Sequence, residues 1–235
     1  MPDQPPRLLD PLSSFTGSLA NRVFLSLRNA IFSQIYCPGE ILRKGEVCDL
    51  LGVSRSPVSE AVTRLATEGL VRIQPQAGTF VSRFSMAEIR EGAFMREALE
   101  LAAVERVARL INGQQLELLK QNLGLQQELA TRQDAQGFFQ ADRAMHALIL
   151  SFTGFDRLAP LAEQSWVQVD RARIMHLPSP GRVQETLSEH HDIVDALSDR
   201  DPARARAVTR HHLTQLIKYL EPMEKSHPEL FEPSG

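Results

Sequence analysis

Four side chains in the C-terminal half have the types and spacing of a metal site. Asp142 and His146 are four residues apart, so they share one helix face, and that face is otherwise apolar. His190 and His212 each line up with apolar residues at helical spacing on two later helices. Each of these two has a histidine neighbour in sequence, which the 3.6-residue period turns about 100° away. The pattern therefore selects one inward ring from each doublet.

A carboxylate and three imidazoles on apolar faces are costly to bury unless they satisfy one another or bind a metal. One carboxylate oxygen and three ring nitrogens suit Zn²⁺ or Ni²⁺. The predicted metal ligands are Asp142, His146, His190 and His212, and His191 and His211 are expected to face outward. The alternative that remains open is a network of hydrogen-bonded core histidines without a metal.

A helical bundle must position these residues. From Ala87 to Leu220 the apolar pattern is helical throughout and shows no strand alternation. Breaks at Gly, Pro and Asp residues divide the pattern into six predicted helices. These helices are 86–110, 113–131, 134–152, 156–177, 181–199 and 202–220. Because the links between them are short, neighbouring helices are expected to be antiparallel.

The N-terminal part has a different pattern, that of a helix-turn-helix. Gly52 ends a short helix with the positive φ that glycine adopts at low cost, and Ser54 can cap the next helix. That second helix buries one face and leaves Arg55, Ser56 and Ser59 on the other. An Arg and small hydroxyl residues in its first turns suit the major groove of DNA. An ordinary capped helix after a glycine turn is the alternative.

Two short predicted strands, 71–74 and 79–82, follow this helix and are joined by a turn over 75–78. A helix-turn-helix followed by a hairpin is a winged helix, and Gly78 lets the wing tip approach the sugar-phosphate backbone closely. The candidate DNA contacts are Arg43, Ser54, Arg55, Ser56, Ser59, Arg64, Gln76 and Gly78.

The N-terminal part resembles the GntR family of bacterial transcription regulators. The matching stretches are Pro38–Leu42, Leu50–Val62, Glu68–Val71 and Gly78–Val81. The resemblance implies double-stranded DNA as a partner, with an inverted-repeat operator bound by a homodimer, most often a repressor. The chain departs from the family at Ser59, where the family usually has an Arg that contacts DNA.

The C-terminal part resembles the FCD domain of the FadR-type branch of that family. The four predicted ligands fill the family's metal-binding pattern, and the gaps of 44 and 22 residues between the histidines agree with it. The resemblance implies a small organic acid or sugar acid as effector, with Arg96 facing its cavity and Arg173, beside Arg171, adding a second positive charge. The alternatives are an Arg96–Glu100 salt bridge, since the two are four residues apart, and a solvated face for Arg171 and Arg173.

The composition of the 235-residue chain is that of a globular protein, with 43% hydrophobic and 23% charged residues. It has no run of 18 apolar residues and no secretory-signal pattern, and its two cysteines fit reduced thiols in the cytoplasm. Residues 19–83 carry eight Arg and Lys against five Asp and Glu, a net charge of +3, which leaves −6 for the rest. A basic module joined to an acidic one fits DNA contact by the first module alone.

These observations predict a mainly helical protein with a winged helix over 18–83 and a helical effector- and metal-binding domain over 86–221. Residues 1–17 are expected to be disordered and 222–235 to form a tail. The function predicted is that of a DNA-binding regulator rather than an enzyme. A metal-dependent hydrolase is the rival reading, although no general base stands out beyond the ligands. A DNA-architectural protein without an effector is a third reading.

Overall fold

The structure, a computed structural model, describes residues 8–233, and it divides the chain into two compact units. One unit extends to Ser85 and also includes the chain from His227 onward, whereas the other comprises Met86–Ser226. What the sequence predicts for residues 1–7 and 234–235 lies outside the described residues.

The first unit is the predicted winged helix-turn-helix. Its helices are α1 (Leu19–Phe32), α2 (Lys44–Leu51) and α3 (Arg55–Thr67), and its hairpin consists of β1 (Val71–Gln74) and β2 (Gly78–Val81). Helix α1 packs against α3, and both bury their apolar faces completely or nearly so. The hairpin is antiparallel, with Val71 opposite Val81 and Gln74 opposite Gly78.

Local details of this unit both support and correct the sequence interpretation. Gly52 ends α2 with a φ of 64°, as predicted. Ser54 stands at the cap position of α3, but its side chain makes no capping hydrogen bond. Helix α1 ends at Phe32, and Gln34 just beyond it takes a positive φ of 59°. The expected disorder of residues 8–17 is wrong, since Asp10 accepts hydrogen bonds from Ser26 and Asn29 on α1.

The second unit is helical. Its helices are α4 (Met86–Leu110), α5 (Gly113–Thr131), α6 (Ala135–Ser151), α7 (Leu158–Ser165), α8 (Val167–His176), α9 (Arg182–Ser198) and α10 (Pro202–Ser226). Helix α5 packs against α6 and α9, and α10 packs against α4 and α9. The fold class is therefore as predicted, a winged helix followed by an all-helical bundle.

The bundle departs from the predicted helices by more than two residues in two places. The predicted helix 156–177 is two helices, since Trp166 leaves helical geometry at φ −107° and ψ 8°. Helix α10 continues to Ser226, beyond the predicted end at 220, with Pro222 inside it.

Helix α4 comes close to α8 at Gly92, where an added Cβ would lie 2.9 Å from a Val169 methyl.

The predicted tail is ordered through residue 233. Beyond α10 the chain forms a short 3₁₀ helix, Pro228–Leu230, and Phe231 pairs with Phe84 in a parallel bridge of the first unit. Within residues 8–233, none of the helices combines the length and the apolar character needed to cross a membrane.

Candidate functional site

The structure brings three of the four predicted metal ligands together. His146 on α6, His190 on α9 and His212 on α10 each offer one ligand atom, and these atoms lie within 4.8 Å of one another. All three rings are buried, whereas their neighbours His191 and His211 are exposed. The helical period therefore selected the inward ring of each doublet correctly.

Each ring is fixed through its Nδ1 atom by a different helix. Nδ1 lies 2.6 Å from a Glu100 oxygen in His146, 2.7 Å from Gln126 Oε1 in His190 and 2.7 Å from Glu189 Oε2 in His212. The Nε2 of His190 is buried without a hydrogen-bond partner, and the buried Nε2 of His146 lies beside the Asp142 carboxylate. An imidazole held at Nδ1, with its Nε2 directed at a shared centre, is the arrangement found around metal ions in proteins.

Burial and nearby charges act differently on the pKa values of the three imidazoles. Burial lowers the pKa of His190 and His212 well below 6.5, so both rings are neutral and keep a lone pair. For His146 burial acts in the same direction, but the Glu100 carboxylate outweighs it and raises the pKa. Burial alone would raise the pKa of Glu100, but Arg96 and His146 hold it well below its usual range. Glu100 is therefore a carboxylate that strengthens His146 as a base.

Asp142, the fourth predicted ligand, lies beside the cluster. Its Oδ1 is 3.2 Å from His146 Nε2 and 3.9 Å from His190 Nε2. The guanidinium of Arg173 contacts the same carboxylate at 2.5 Å and contacts Asp170 at 3.1 Å. Burial opposes the charged form of Asp142, yet Arg173 and His190 keep its pKa well below the usual value. Asp142, a predicted metal ligand, and Arg173, a predicted effector contact, thus form an ion pair with each other.

A small cavity adjoins the cluster. Its free volume is about 30 Å³, which holds roughly two water molecules. Arg96, Asp142, Arg173, His176, Arg182, Thr186 and His212 are among the residues that line it. Arg96 fits both of its readings, because its Nε pairs with Glu100 at 2.6 Å while its buried Nη2 has no hydrogen-bond partner. Arg171 and Arg173 are buried, so the solvated-face alternative is wrong for both.

The cavity wall includes two polar residues that sequence reasoning missed. The Nε2 of His176 and the hydroxyl of Thr186 are buried without a hydrogen-bond partner. The other ring nitrogen of His176 is 3.0 Å from the Ser179 hydroxyl. Burial, together with the charge of Arg182, lowers the pKa of His176, which keeps this ring neutral. The wall thus offers a neutral imidazole and a hydroxyl beside the Arg96 guanidinium.

The supporting residues Gln126 and Glu189 were also missed, although the sequence carries a signal for one of them. Gln126 is fully buried among apolar Leu119, Leu123 and Ala130 on α5, so it is a polar residue at a core position. For Glu189 the signal is absent, because a Glu beside a His on a helix is usually solvated.

All the candidate DNA contacts belong to the first unit, and their contact with DNA stays a prediction. Arg55 begins α3, and it is exposed together with Ser54 and Ser56. Ser59 and Gly78 are half-buried, and Arg43 and Gln76 are exposed. Arg64 is exposed, and its guanidinium donates to Asn21 of α1 at 3.0 Å and lies 3.9 Å over the ring of Phe24.

Comparison with known proteins agrees with this architecture. Residues 19–81 match the model of bacterial regulatory proteins of the gntR family, and residues 91–215 match that of the FCD domain. The chain is 31% identical over 216 residues to the HTH-type transcriptional repressor RspR of Escherichia coli, covering 92% of this chain and 95% of that protein.

Two solved structures share the fold. E. coli McbR/YncC has a TM-score of 0.74 at 23% identity, and a putative GntR regulator from Rhodococcus has 0.75 at 24%. Each match covers 88% of this chain and 99% of the other. The relatives are transcription regulators and not enzymes, which removes the hydrolase alternative. The chain belongs to the GntR family of DNA-binding transcription regulators, with an FCD domain as its C-terminal unit.

Proposed function

We propose that the protein is a homodimeric cytoplasmic repressor that binds an inverted-repeat operator. Its affinity for the operator is controlled by a small carboxylate bound beside a divalent metal. The observation that carries the metal proposal is the orientation of the three imidazoles. Each Nδ1 is held by its own acceptor, while the buried Nε2 of His190 has no hydrogen-bond partner and that of His146 faces the Asp142 carboxylate, itself a predicted ligand. Leaving such atoms unsatisfied costs free energy, and a cation at that point removes the cost.

The metal favoured by this donor set is Zn²⁺ or Ni²⁺, held by His146, His190 and His212 with Asp142 as the fourth ligand. When bound, it supplies a buried positive charge that attracts an effector carboxylate. Three imidazoles carry no negative charge, and the one ligand carboxylate offsets only one of the two positive charges of such an ion. The site therefore suits an anion.

The effector is proposed to be a hydroxy acid or a sugar acid. Arg96 Nη2 can donate to a carboxylate, and its flat guanidinium suits such a group. His176 Nε2 and the Thr186 hydroxyl, on the wall of the same cavity, can satisfy a hydroxyl group of the ligand. Because the free volume holds only about two waters, binding requires side chains such as Arg173 to move.

The metal proposal is tested with two histidine pairs that provide their own controls. Zn²⁺ is titrated into metal-stripped protein, and bound zinc is measured for His190→Ala and for its exposed neighbour His191→Ala. The first variant is expected to lose zinc and the second to keep it, with the same contrast between His212→Ala and His211→Ala. If His190→Ala and His212→Ala keep the wild-type zinc content, the metal proposal is wrong and these rings form a hydrogen-bond network without a metal.

The effector proposal is tested by thermal unfolding of the zinc-loaded protein with organic and sugar acids. A bound acid stabilises by mass action, and each hydroxy acid is compared with its deoxy analogue. Thr186→Val is expected to reduce the preference for the hydroxy acid and leave zinc content unchanged. Arg96→Ala is expected to weaken the binding of both the acid and zinc, since Arg96 is paired with Glu100 and Glu100 is paired with His146. If the acid stabilises the zinc-free protein as much as the zinc-loaded protein, the acid site and the zinc site are independent.

The repressor and dimer proposals draw on two observations. The E. coli relative RspR is named a transcriptional repressor, and the net charge of +3 on residues 19–83 is modest for a lone DNA-binding module. A gel shift with DNA from upstream of its own gene tests both. The effector is expected to release the DNA, and an effector that strengthens binding would reverse the sign of regulation proposed here.

A further inference from the structure

The end of the chain forms a packed part of the DNA-binding unit. Residues 227–233, which we term the C-terminal strap, run beside Phe84 at the end of the winged helix. Phe84 N–H donates to the Leu230 carbonyl at 2.9 Å, and Glu232 N–H donates to the Phe84 carbonyl at 2.9 Å. These two backbone bonds fix the register of the strap against the unit.

Side chains hold the strap in the same place. Phe231 is 2% exposed, and its ring centroid lies 5.7 Å from that of Phe84. Arg83 Nε donates to the Glu229 carbonyl at 2.9 Å. A buried aromatic residue with backbone pairing on both sides defines a docked segment, and its position delivers the next residue, Glu232, to the wing.

A groove of about 310 Å³ lies where Glu232 arrives. Arg72 and Gln74 of β1 and Arg83 after β2 line it, together with the strap residues Glu232 and Pro233. The carboxylate of Glu232 is bonded to the guanidinium of Arg72. A basic groove on a DNA-binding module thus contains an anionic group of the chain's own C-terminal end.

We propose that Arg72 is a phosphate-binding residue of the wing, and that Glu232 of the C-terminal strap occupies it until DNA takes its place. The strap is then an intramolecular competitor that lowers the affinity of the winged helix for DNA. The DNA group that replaces Glu232 is a backbone phosphodiester, because a guanidinium binds a carboxylate and a phosphate oxygen by the same hydrogen bonds.

The placement and exposure of the pair support exchange with DNA. Arg72 lies on β1, the strand that leads into the turn at the wing tip, where Gln76 is exposed. Duplex DNA carries one negative charge per about 1.7 Å of its axis, so an exposed Arg near a DNA-contacting tip meets a phosphate. The side chains of Arg72 and Glu232 are 57% and 26% exposed, and an ion pair this open to solvent is weak enough for a phosphate to displace it.

The test uses the full chain and a labelled duplex of mixed sequence, about 30 base pairs long, because phosphate contacts do not depend on sequence. Binding is measured by fluorescence anisotropy over a series of salt concentrations. Glu232→Gln is expected to bind about two- to fivefold tighter. Arg72→Ala is expected to bind more weakly, with a salt slope shallower by about one per bound chain.

Two controls separate competition from a general effect of charge. Glu229→Gln removes the same charge from the strap, but its exposed side chain faces His227 at 3.3 Å, so DNA binding is expected to stay at the wild-type level. In an Arg72→Ala background, Glu232→Gln is expected to have no effect. Equal effects of the two Gln variants, an unchanged affinity in Glu232→Gln, or a persisting gain without Arg72 would each overturn the proposal. Thermal unfolding verifies that all variants are folded.

Discussion

Replacing Gln126 by Met should weaken metal binding without changing any ligand or any charge. Gln126 is fully buried on α5, and its Oε1 accepts from His190 Nδ1 at 2.7 Å, on the side of the ring away from the proposed metal-binding Nε2. Its Nε2 donates to Asn122 at 2.7 Å, which sets the orientation of the amide. Methionine has a similar length and no acceptor that could replace the amide oxygen. The His190 ring would then lose the bond that fixes its tautomer and its direction.

The expected size of the effect follows from these contacts. Loss of an outer partner of a metal-binding histidine lowers metal affinity by about 10- to 100-fold, or about 1.4–2.7 kcal/mol. The unpaired Nδ1–H also lowers the free energy of unfolding of the metal-free protein, by about 1–3 kcal/mol. Zinc affinity is measured in competition with a chromophoric chelator, and stability is measured by urea unfolding.

Two further variants decide whether the reasoning holds. Gln127→Met makes the same change at an exposed neighbouring position, so its zinc affinity should equal that of the wild type. Gln126→Glu retains an acceptor for His190 Nδ1, and it is expected to bind zinc at least ten times more tightly than Gln126→Met. A folded Gln126→Met protein with wild-type zinc affinity would refute the claim that the Nδ1 partners organise the site.

Other consequences of the structure can be checked separately. Arg55→Ala should weaken operator binding by about 1–3 kcal/mol and relax base preference in a gel-shift series, since Arg55 is exposed at the start of α3. Sedimentation should find a dimer at micromolar concentration, and a monomer that still binds operator tightly would contradict the proposed assembly. Gly92→Ala should lower the free energy of unfolding by about 1–3 kcal/mol, because the new methyl meets Val169 at 2.9 Å. Gly124→Ala, which has nothing within 4 Å, should instead be neutral or stabilising by up to about 1 kcal/mol.

The parts of the fold that could be predicted depend on local chemistry. Gly52 has no Cβ to oppose its left-handed conformation, so the turn of the helix-turn-helix is encoded in one residue. Burial on a helix follows a period of 3.6 residues, so the inward rings of the two histidine doublets follow from sequence spacing. The same period could not reveal the break at Trp166, since α7 and α8 on either side of it are both helical.

The parts that could not be predicted depend on contacts between distant segments. Glu100 and His146 are 46 residues apart, and Gln126 and His190 are 64 apart, so their pairing follows from how the helices pack. The C-terminal strap is a similar case, because Phe231 pairs with Phe84 across most of the chain. Proline-rich composition favours disorder in isolation, whereas backbone pairing and a buried Phe oppose it here.

The ion pairs around the histidines predict that metal and effector bind cooperatively. Three buried or largely buried guanidinium groups pair with carboxylates at the cluster, as Arg96–Glu100, Arg173–Asp142 and Arg182–Glu189. Each of these carboxylates also lies beside one of the three imidazoles. Each carboxylate beside an imidazole is thus already partly neutralised by a guanidinium group, so a carboxylate effector adds negative charge that a dication needs.

The prediction is that a hydroxy acid found to bind will raise zinc affinity by the same factor by which zinc raises the affinity of the acid. The two factors are equal because both measure one coupling free energy, and about 1–3 kcal/mol corresponds to a factor of about 5–150. Calorimetric titration of zinc with and without the acid, and of the acid with and without zinc, gives both factors. A zinc affinity that does not respond to the acid would show that the three ion pairs rearrange enough to balance the dication themselves. In that case Arg173, freed from Asp142, would be the first group expected to have moved.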